Sequence, residues 1–419
     1  MKLFCLLLVG WVPWAGWSAD LPSDVDLGIP YQKEALANSL RCLETIRGDE
    51  ERIARTRNFA AENLAYFGDE QAAIALLRAS RPHYHVPSGC VDAALVFLGH
   101  GQRNAVRQLL ALSLDLLVYA AGRGAELVQF QILRMATVTG DEVAIQRAWE
   151  AEKLTQADLR RAYGAFLQNW QPSFWNGLLD QLFPDRHWRA LEKKATRDEE
   201  IAWKAERTVD YFTGLLLIRE AEARVRARQS YPASWIRFVE AGIRAPAINT
   251  RPAGLSAELA ELAVLEGRPQ PALFLVEETW KLLGDWAPQM TGMYRIERDL
   301  ALVLARIPEA EPQREVGKGR IAKRAEILRK HLDPYEQMLQ LPLLAEAFHV
   351  LGDPEQAQEA WRAAAELCAQ NQNPESQSIG LTRIWMSYAR ANAWPTKETE
   401  AGLARVEKKL PEEYAKVNF

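Results

Sequence analysis

The 419-residue chain lacks several features that would narrow its function quickly. After the first twenty residues it has no apolar run near the roughly 18 residues that a membrane span requires. It has no basic excess, because 51 Lys and Arg stand against 55 Asp and Glu and are spread along the chain, which argues against a nucleic-acid partner. Alternating β-branched runs are also missing, and Ala, Leu, Glu, Arg and Gln dominate, so the expected fold class is all-α.

The sequence motifs of common catalytic and cofactor sites are absent as well. There is no Gly-x-Ser-x-Gly, no complete phosphate loop and no His-Glu-x-x-His in the chain. The segment "GKGR" at 317–320 lacks the other residues of a phosphate loop, so it is interpreted as a hinge. The chain is therefore expected to be non-catalytic and to hold no cofactor and no metal.

The first 19 residues have the pattern of a secretory signal peptide. Lys2 provides a short positive start, "LFCLLLVGWVPWAGW" is an apolar run broken by Gly and Pro, and small Ser18 and Ala19 suit cleavage. Residues 20–30 then form an N-terminal linker. This pattern predicts an exported protein of the periplasm or the extracellular space.

Cysteine is scarce, with four in the whole chain. Cys5 would leave with the signal peptide, so Cys42, Cys90 and Cys368 remain. An oxidising compartment permits one bridge, and the candidate pair is Cys42 and Cys90. Three buried free thiols are the alternative, and the sequence leaves both open.

A helical hairpin is clearest near the C-terminus, in "LAEAFHVLGDPEQAQEAWRAAAELC" at 344–368. Apolar residues recur there at spacings of three and four, and "GDP" at 352–354 interrupts them with a helix-ending glycine and a capping aspartate. The small and large positions of this hairpin are Ala345, Phe348, Gly352, Ala357, Trp361 and Ala364.

This pattern resembles the tetratricopeptide repeat family, whose small and large signature positions these residues match. Two further copies carry Ala61, Gly68, Ala73, Ala260, Gly267 and Ala272. Weaker copies centre on Gly101 and Gly140. The resemblance implies a right-handed α-α superhelix, a solenoid of antiparallel helix hairpins. It also implies a protein or peptide partner, of unknown identity, on the concave face.

The repeat signature divides the chain unevenly. N-terminal repeats are expected over 31–154, further repeats over 251–305, and C-terminal repeats over 321–419. Residues 155–250 are helix-rich but show no clear signature, so they form a divergent region. The Pro- and charge-rich segment 306–320 is expected to be a linker.

Three of the six histidines lie close together in "RASRPHYHVPSGCVDAALVFLGHG", at 78–101. His83 and His85 would point the same way in an extended segment, and Cys90 follows, so zinc or copper is conceivable. His100 lies too far along the next helix to join them. The prolines on both sides favour the other interpretation, a connection between two helices.

Aromatic residues are dense in "NWQPSFWNGLLDQLFPDRHW", at 169–188. Core filling is the simpler explanation, because tryptophan is usually mostly buried. If the group is exposed, it could anchor a partner peptide or stack on a sugar. The residues that would do so are Trp170, Phe174, Trp175 and Trp188.

Two functions remain from different classes. The favoured one is an exported non-catalytic scaffold or adaptor that binds a protein or peptide partner on the concave face. The alternative is an (α/α)-toroid glycosidase or polysaccharide lyase, whose acid and base groups would be sought first at Asp180, Asp185 and His187. A closed ring with carboxylates around a tryptophan-lined pit would favour the enzyme.

Overall fold

The computed structural model describes residues 30–80, 83, 85–119, 122–151, 211–243, 251–284 and 292–414. These residues form 17 α-helices, one short 3-10 turn and no β-strand, so the all-α expectation is confirmed. In this part of the chain, none of the helices combines the length and the apolarity that crossing a membrane takes.

The helices are numbered here in chain order. Their bounds are α1 Pro30–Thr45, α2 Glu50–Tyr66, α3 Glu70–Arg78, α4 Val86–Gly99, α5 Arg103–Leu116, α6 Gly122–Thr139, α7 Glu142–Glu150, α8 Tyr211–Arg226, α9 Ala233–Ile243, α10 Arg251–Leu265, α11 Pro269–Leu283, α12 Gly292–Ala305, α13 Glu311–His331, α14 Pro334–Val350, α15 Pro354–Gln370, α16 Pro374–Ala391 and α17 Lys397–Tyr414.

Short turns join many successive helices, and their chemistry is local. The Asp69 side chain accepts a hydrogen bond from the Ala72 amide at the start of α3, and Asp353 accepts one from Gln356 at the start of α15. A glycine with positive φ precedes each of these aspartates, a conformation that reverses the chain without a Cβ clash. The turn glycines with positive φ between about 68° and 81° are Gly68, Gly101, Gly140, Gly267 and Gly352.

Seven helices pack side by side in an inner layer, in the order α2, α4, α8, α10, α12, α14, α16. Helices α3, α5, α11 and α15 pack outside the inner helices that precede them. Alanines of the repeat signature lie where the two layers meet, and their small side chains let the helices approach closely. Those that are fully buried are Ala61, Ala73, Ala260, Ala272, Ala345, Ala357 and Ala364.

Trp361 shows how the larger signature residues fill the same core. Its ring is fully buried and stacks on Tyr388, with 4.3 Å between ring centroids. The indole Nε1 donates a hydrogen bond to Ser387 Oγ at 2.8 Å, so burial leaves no polar atom of this side chain unsatisfied. Phe348 of α14 is buried as well.

The first and last helices of the described chain pack against each other. Helix α1 lies antiparallel along α16, where Ser39 Oγ donates to the Thr382 carbonyl oxygen at 2.8 Å. Helix α2 also meets α16, through a 2.8 Å hydrogen bond from Arg390 Nη1 to Asn63 Oδ1. On the outside, Arg41 pairs with Glu407 of α17 at 2.8 Å. The inner layer is thus closed by contacts between residues more than 300 positions apart.

A segment expected to be a linker is largely helical. Most of the range 306–320, expected to be a linker, belongs to α13, which begins at Glu311. Pro312 suits the first turn of a helix, where an amide donor is not needed. Gly317 lies buried in α13. A Cβ at this position would come within 3.2 Å of the Leu351 side chain, so the residue without one fits there. In the divergent region 155–250, only residues 211–243 are described, and they form α8 and α9.

The cysteines of the described chain are free and buried, so Cys42 and Cys90 are not joined by a bridge. Cys42 Sγ donates to Glu407 Oε1 at 3.5 Å, while Cys90 lies within α4. Burial raises the pKa of each thiol, including Cys368. Of the two alternatives, three buried thiols is the arrangement found.

Candidate functional site

Charged side chains from all seven inner helices meet in the space that the inner layer surrounds. Spacings of three and four residues place several of them on one face of each helix, as with Glu258 and Glu261 of α10. We call this set the inner wall. Its members are Glu62, Asp92, Arg219, Glu222, Glu258, Glu261, Arg295, Arg298, Asp299, Arg306, Glu346 and Arg390.

Arg219 of α8 is the centre of the most buried part of the inner wall. Its Nη1 donates to Glu222 at 2.9 Å and its Nη2 donates to Glu258 at 2.6 Å. Glu261 lies 4.0 Å from the same guanidinium and accepts a 2.9 Å hydrogen bond from Arg306, the residue that follows α12. One arginine therefore ties α8 to α10, and a second continues the network to α12.

The close approach of α4 to α8 at this cluster depends on glycine. A Cβ on Gly99 would lie 2.6 Å from a carboxylate oxygen of Glu222 and 2.9 Å from Cδ of Arg219. Arg226 Nε donates to the Gly99 carbonyl oxygen at 3.1 Å, which holds the end of α4 against α8.

A second part of the inner wall connects α12, α14 and α16 with α2. Arg295 of α12 forms an ion pair with Glu62 of α2, although α2 and α12 are not neighbours in the inner layer. Glu346 of α14 accepts a hydrogen bond from Arg390 of α16 at 3.2 Å. Arg298 lies 3.8 Å from the same carboxylate. The network therefore reaches across the space as well as around it.

Charge balance explains the ionisation of the α8–α10 cluster, where three carboxylates share two guanidiniums. Burial raises the pKa of Glu258 to about 8, against the attraction of Arg219, and the nearby Glu261 adds to this rise. Burial also opposes the ionisation of Glu261, but Arg306 and Arg219 outweigh it and lower its pKa to about 2. The cluster thus holds one proton more tightly than isolated carboxylates would.

Asp92 of α4 is the inner-wall carboxylate without a hydrogen-bonded cation. Its side chain is reached by solvent, yet the surrounding helices remove most of the water around it. This burial, together with the nearby charge of Glu62, raises the pKa of Asp92 to about 7, and Arg295 reverses only part of the rise. A carboxyl group with this pKa can exchange a proton near neutral pH.

Asp92 should make the protein less stable as the pH rises. The folded protein holds a proton at Asp92 up to about pH 7, whereas the unfolded chain releases it near pH 4. The free energy of unfolding should therefore fall between about pH 4 and about pH 7. We expect Asp92→Asn to remove this part of the fall, as measured by urea denaturation at several pH values.

Asp115→Asn is the matched control, because Asp115 lies on the outer surface in an exposed pair with Arg147. It should keep the pH dependence of the wild-type protein. An Asp92→Asn variant whose pH dependence equals that of the wild type would show that Asp92 is not enclosed as described.

The three carboxylates around Arg219 also have the spacing of a cation site. One oxygen from each of Glu222, Glu258 and Glu261 lies within 4.8 Å of the others. The Arg219 guanidinium already donates to two of them, so positive charge reaches the cluster without a metal ion. We therefore interpret the cluster as an ion-pair network.

The histidines singled out in the sequence do not converge with Cys90. His83 and His85 lie close, with 5.4 Å between ring centroids, and His85 Nε2 is 3.3 Å from Glu51 Oε1. Cys90 is fully buried within α4. His100 follows the far end of that helix. His83 and His85 lie between the end of α3 and the start of α4, which agrees with the prediction that this segment connects two helices.

The aromatic group and the residues suggested for the enzyme fall outside the described residues. These are Trp170, Phe174, Trp175, Trp188, Asp180, Asp185 and His187. The inner wall, by contrast, was not recognised from the sequence. A sequence signal for it exists in α8, "YFTGLLLIREAEARVR", where the buried Glu222 follows a run of apolar residues.

Comparison with known proteins adds no relative. No protein-family model matches the chain, and no curated protein matches it. The resemblance to tetratricopeptide repeats therefore depends on the signature residues of the sequence.

Proposed function

We propose that the chain is an exported, non-catalytic scaffold that binds a protein or peptide partner on the inner wall. In this proposal the helix hairpins are tetratricopeptide-like repeats that wind as a right-handed superhelix until the last repeat meets the first. The inner layer then corresponds to the concave face, which is the binding surface that such repeats usually offer.

The observation that carries the proposal is the solvent-reached part of the inner wall. Arg295 exposes 52% of its side chain although it pairs with Glu62, and Asp92 nearby is exposed as well. Leucines and alanines make the core between the layers, so packing does not require charges at these positions. A partner could exchange hydrogen bonds with both groups, which favours polar recognition and selects against partners with the wrong charge.

Export is the part of the proposal that rests on sequence alone. The signal-like residues 1–19 support a periplasmic or extracellular location. Buried free thiols are compatible with such a compartment, because burial protects them from oxidation.

The proposal is tested by capturing a partner from cell-envelope extract. The double variant Asp92→Asn/Arg295→Gln changes two accessible polar groups and removes one positive charge and one titratable carboxyl group. We expect quantitative mass spectrometry to find one protein whose recovery falls at least about tenfold with this variant, because lost polar contacts at an interface weaken binding strongly.

The matched control is Asp115→Asn/Arg147→Gln, which makes the same kinds of change in an exposed pair on the outer helices α5 and α7. Recovery of the partner should be unchanged with this control. Equal recovery with both double variants, or no protein enriched over an unrelated bait, would contradict binding on the inner wall.

A carbohydrate-active enzyme of the toroid class is the second candidate, and the contact between α1 and α16 favours it. Asp92 and Glu62 are carboxylates on neighbouring inner helices, and the pKa of Asp92 near 7 suits a proton donor. The short turns between hairpins argue against it, because they provide little chain to build a deep cleft. Release of sugars from a polysaccharide panel, abolished by Asp92→Asn, would replace the scaffold proposal with this one.

A further inference from the structure

The outer layer contains a groove between α11 and α13, far along the chain from the ends that close the ring. Its volume is about 500 Å³, within the range of peptide and small-ligand sites. The residues that line it are Glu277, Trp280, Lys281, Pro312, Gln313, Val316 and Arg320.

The two walls of the groove have different chemistry. On α13, Pro312, Val316 and Arg320 follow each other at intervals of four residues and so form one stripe along the helix. Val316 exposes 54% of its surface, which is unfavourable for a large apolar side chain in water. On α11, the ring of Trp280 forms the floor and is stacked under the Arg320 guanidinium, 5.3 Å from the ring centroid.

Two hydrogen-bond donors on these walls have no acceptor. They are Trp280 Nε1 and Arg320 Nε, both of which are buried from solvent. Arg320 uses another nitrogen to bind Glu297, at 3.2 Å, so its Nε remains unsatisfied while the side chain is held in place. A buried donor without an acceptor costs stability, so a ligand that supplied acceptors to these two donors would recover that cost.

These observations decide what kind of ligand fits. The groove offers an apolar stripe and two donors, so its ligand needs an apolar side chain and free acceptors close together. A helix uses most of its carbonyl oxygens internally, whereas an extended peptide presents them to its surroundings. We propose that the α11–α13 groove binds a short extended peptide, with an apolar side chain on Val316 and backbone carbonyl oxygens accepting from Trp280 Nε1 and Arg320 Nε.

This site is independent of the inner wall, because it is formed by outer helices and shares no residue with it. Either site can therefore fail its own test without affecting the other. A protein with both would hold one partner inside the ring and a peptide segment, of the same or another partner, on its outside.

The test uses a displayed library of random seven-residue peptides, selected on the full chain. The affinity of the best peptide is then measured by fluorescence anisotropy. Val316→Glu should weaken binding at least about tenfold, since it places a charge under the apolar anchor. Trp280→Phe keeps an aromatic ring and removes the donor, and should weaken binding about two- to tenfold. Val143→Glu, at a still more exposed valine on α7, should leave binding unchanged.

A spectroscopic measurement makes the result independent of variant stability. The indole N–H resonance of Trp280, identified by its loss in Trp280→Phe, should move when the selected peptide binds the wild-type chain. The proposal is overturned if no peptide is selected, if the resonance stays in place, or if Val316→Glu and Val143→Glu have equal effects. The proposal would also be overturned, in favour of a helical partner, if the selected peptides share apolar residues at helical spacing and lose affinity when proline replaces a residue between them.

Discussion

Deleting residues 1–46 should destabilise the C-terminal half of the protein by about 5 kcal/mol or more. Helix α1 buries Leu36 and Leu43 against α16, and each such leucine contributes about 1.5–3 kcal/mol. The deletion also exposes to solvent the face of α16 that packs against α1. This face includes Thr382, which is fully buried in the intact protein. Urea denaturation should show a much lower midpoint, with a separate transition at low urea concentration in which α14 to α17 unfold.

Deletion of residues 1–29, which leaves α1 whole, is the control and should unfold at nearly the wild-type urea concentration. An open superhelix behaves differently, because its terminal helix covers only one neighbouring repeat. If both deletions unfold alike, α1 does not close the inner layer.

Replacing Arg219 with methionine should cost about 3–5 kcal/mol at neutral pH. Its removal leaves Glu222, which exposes 2% of its side chain, and Glu258 without their shared guanidinium. Burial already raises the pKa of Glu222, and without Arg219 this carboxyl group loses the cation that offsets its burial. Glu258, whose pKa of about 8 leaves it largely protonated at neutral pH, loses a hydrogen-bond donor, so the free energy of unfolding should fall strongly. Chemical denaturation followed by circular dichroism measures this change.

Two further variants separate lost charge from lost packing. Adding Glu222→Gln and Glu258→Gln to Arg219→Met should restore much of the stability, because no unpaired charge then remains. Arg362→Met changes an exposed arginine on α15, 4.0 Å from Glu366, and should shift stability by less than about 1 kcal/mol. A loss in Arg219→Met no larger than in this control would mean that the cluster is not buried.

The local part of the fold could be predicted from the sequence because its causes are local. Gly352 and Asp353 end one helix and begin the next through their own backbone and side chain, and "GDP" makes this visible in three letters. The alanines and Trp361 show the core through their spacing. Linker 306–320 was mispredicted because Pro and Gly suggest a break, whereas Pro312 and Gly317 fit the first turns of α13.

Closure and the inner wall could not be predicted in the same way. The contact between Ser39 and Thr382 joins residues 343 positions apart, and no local pattern announces it. Charged residues three and four apart look the same on a solvated helix face as on an inner one, so Glu258 and Glu261 gave no distinct signal. Only the overall arrangement of the helices decides which face meets other charges.

Closure has a consequence for the proposed function. Because Arg295 of α12 reaches Glu62 of α2, the space inside the ring is narrow where these two helices face each other. A partner on the inner wall would have to enter beside this pair or replace it. The accessible Asp92 lies close to both, so the same few residues would decide whether a segment can enter.

Closure of the ring is the central claim, and a distance between the first and the last helix tests it most directly. Spin labels at Arg41→Cys of α1 and Glu407→Cys of α17 can be measured by pulsed electron resonance, with the three buried cysteines replaced by alanine or serine. The two native side chains meet at 2.8 Å, so we expect one narrow distance at the short end of the measurable range. A broad distribution at long distances would mean that the two ends of the chain do not meet, and would contradict it.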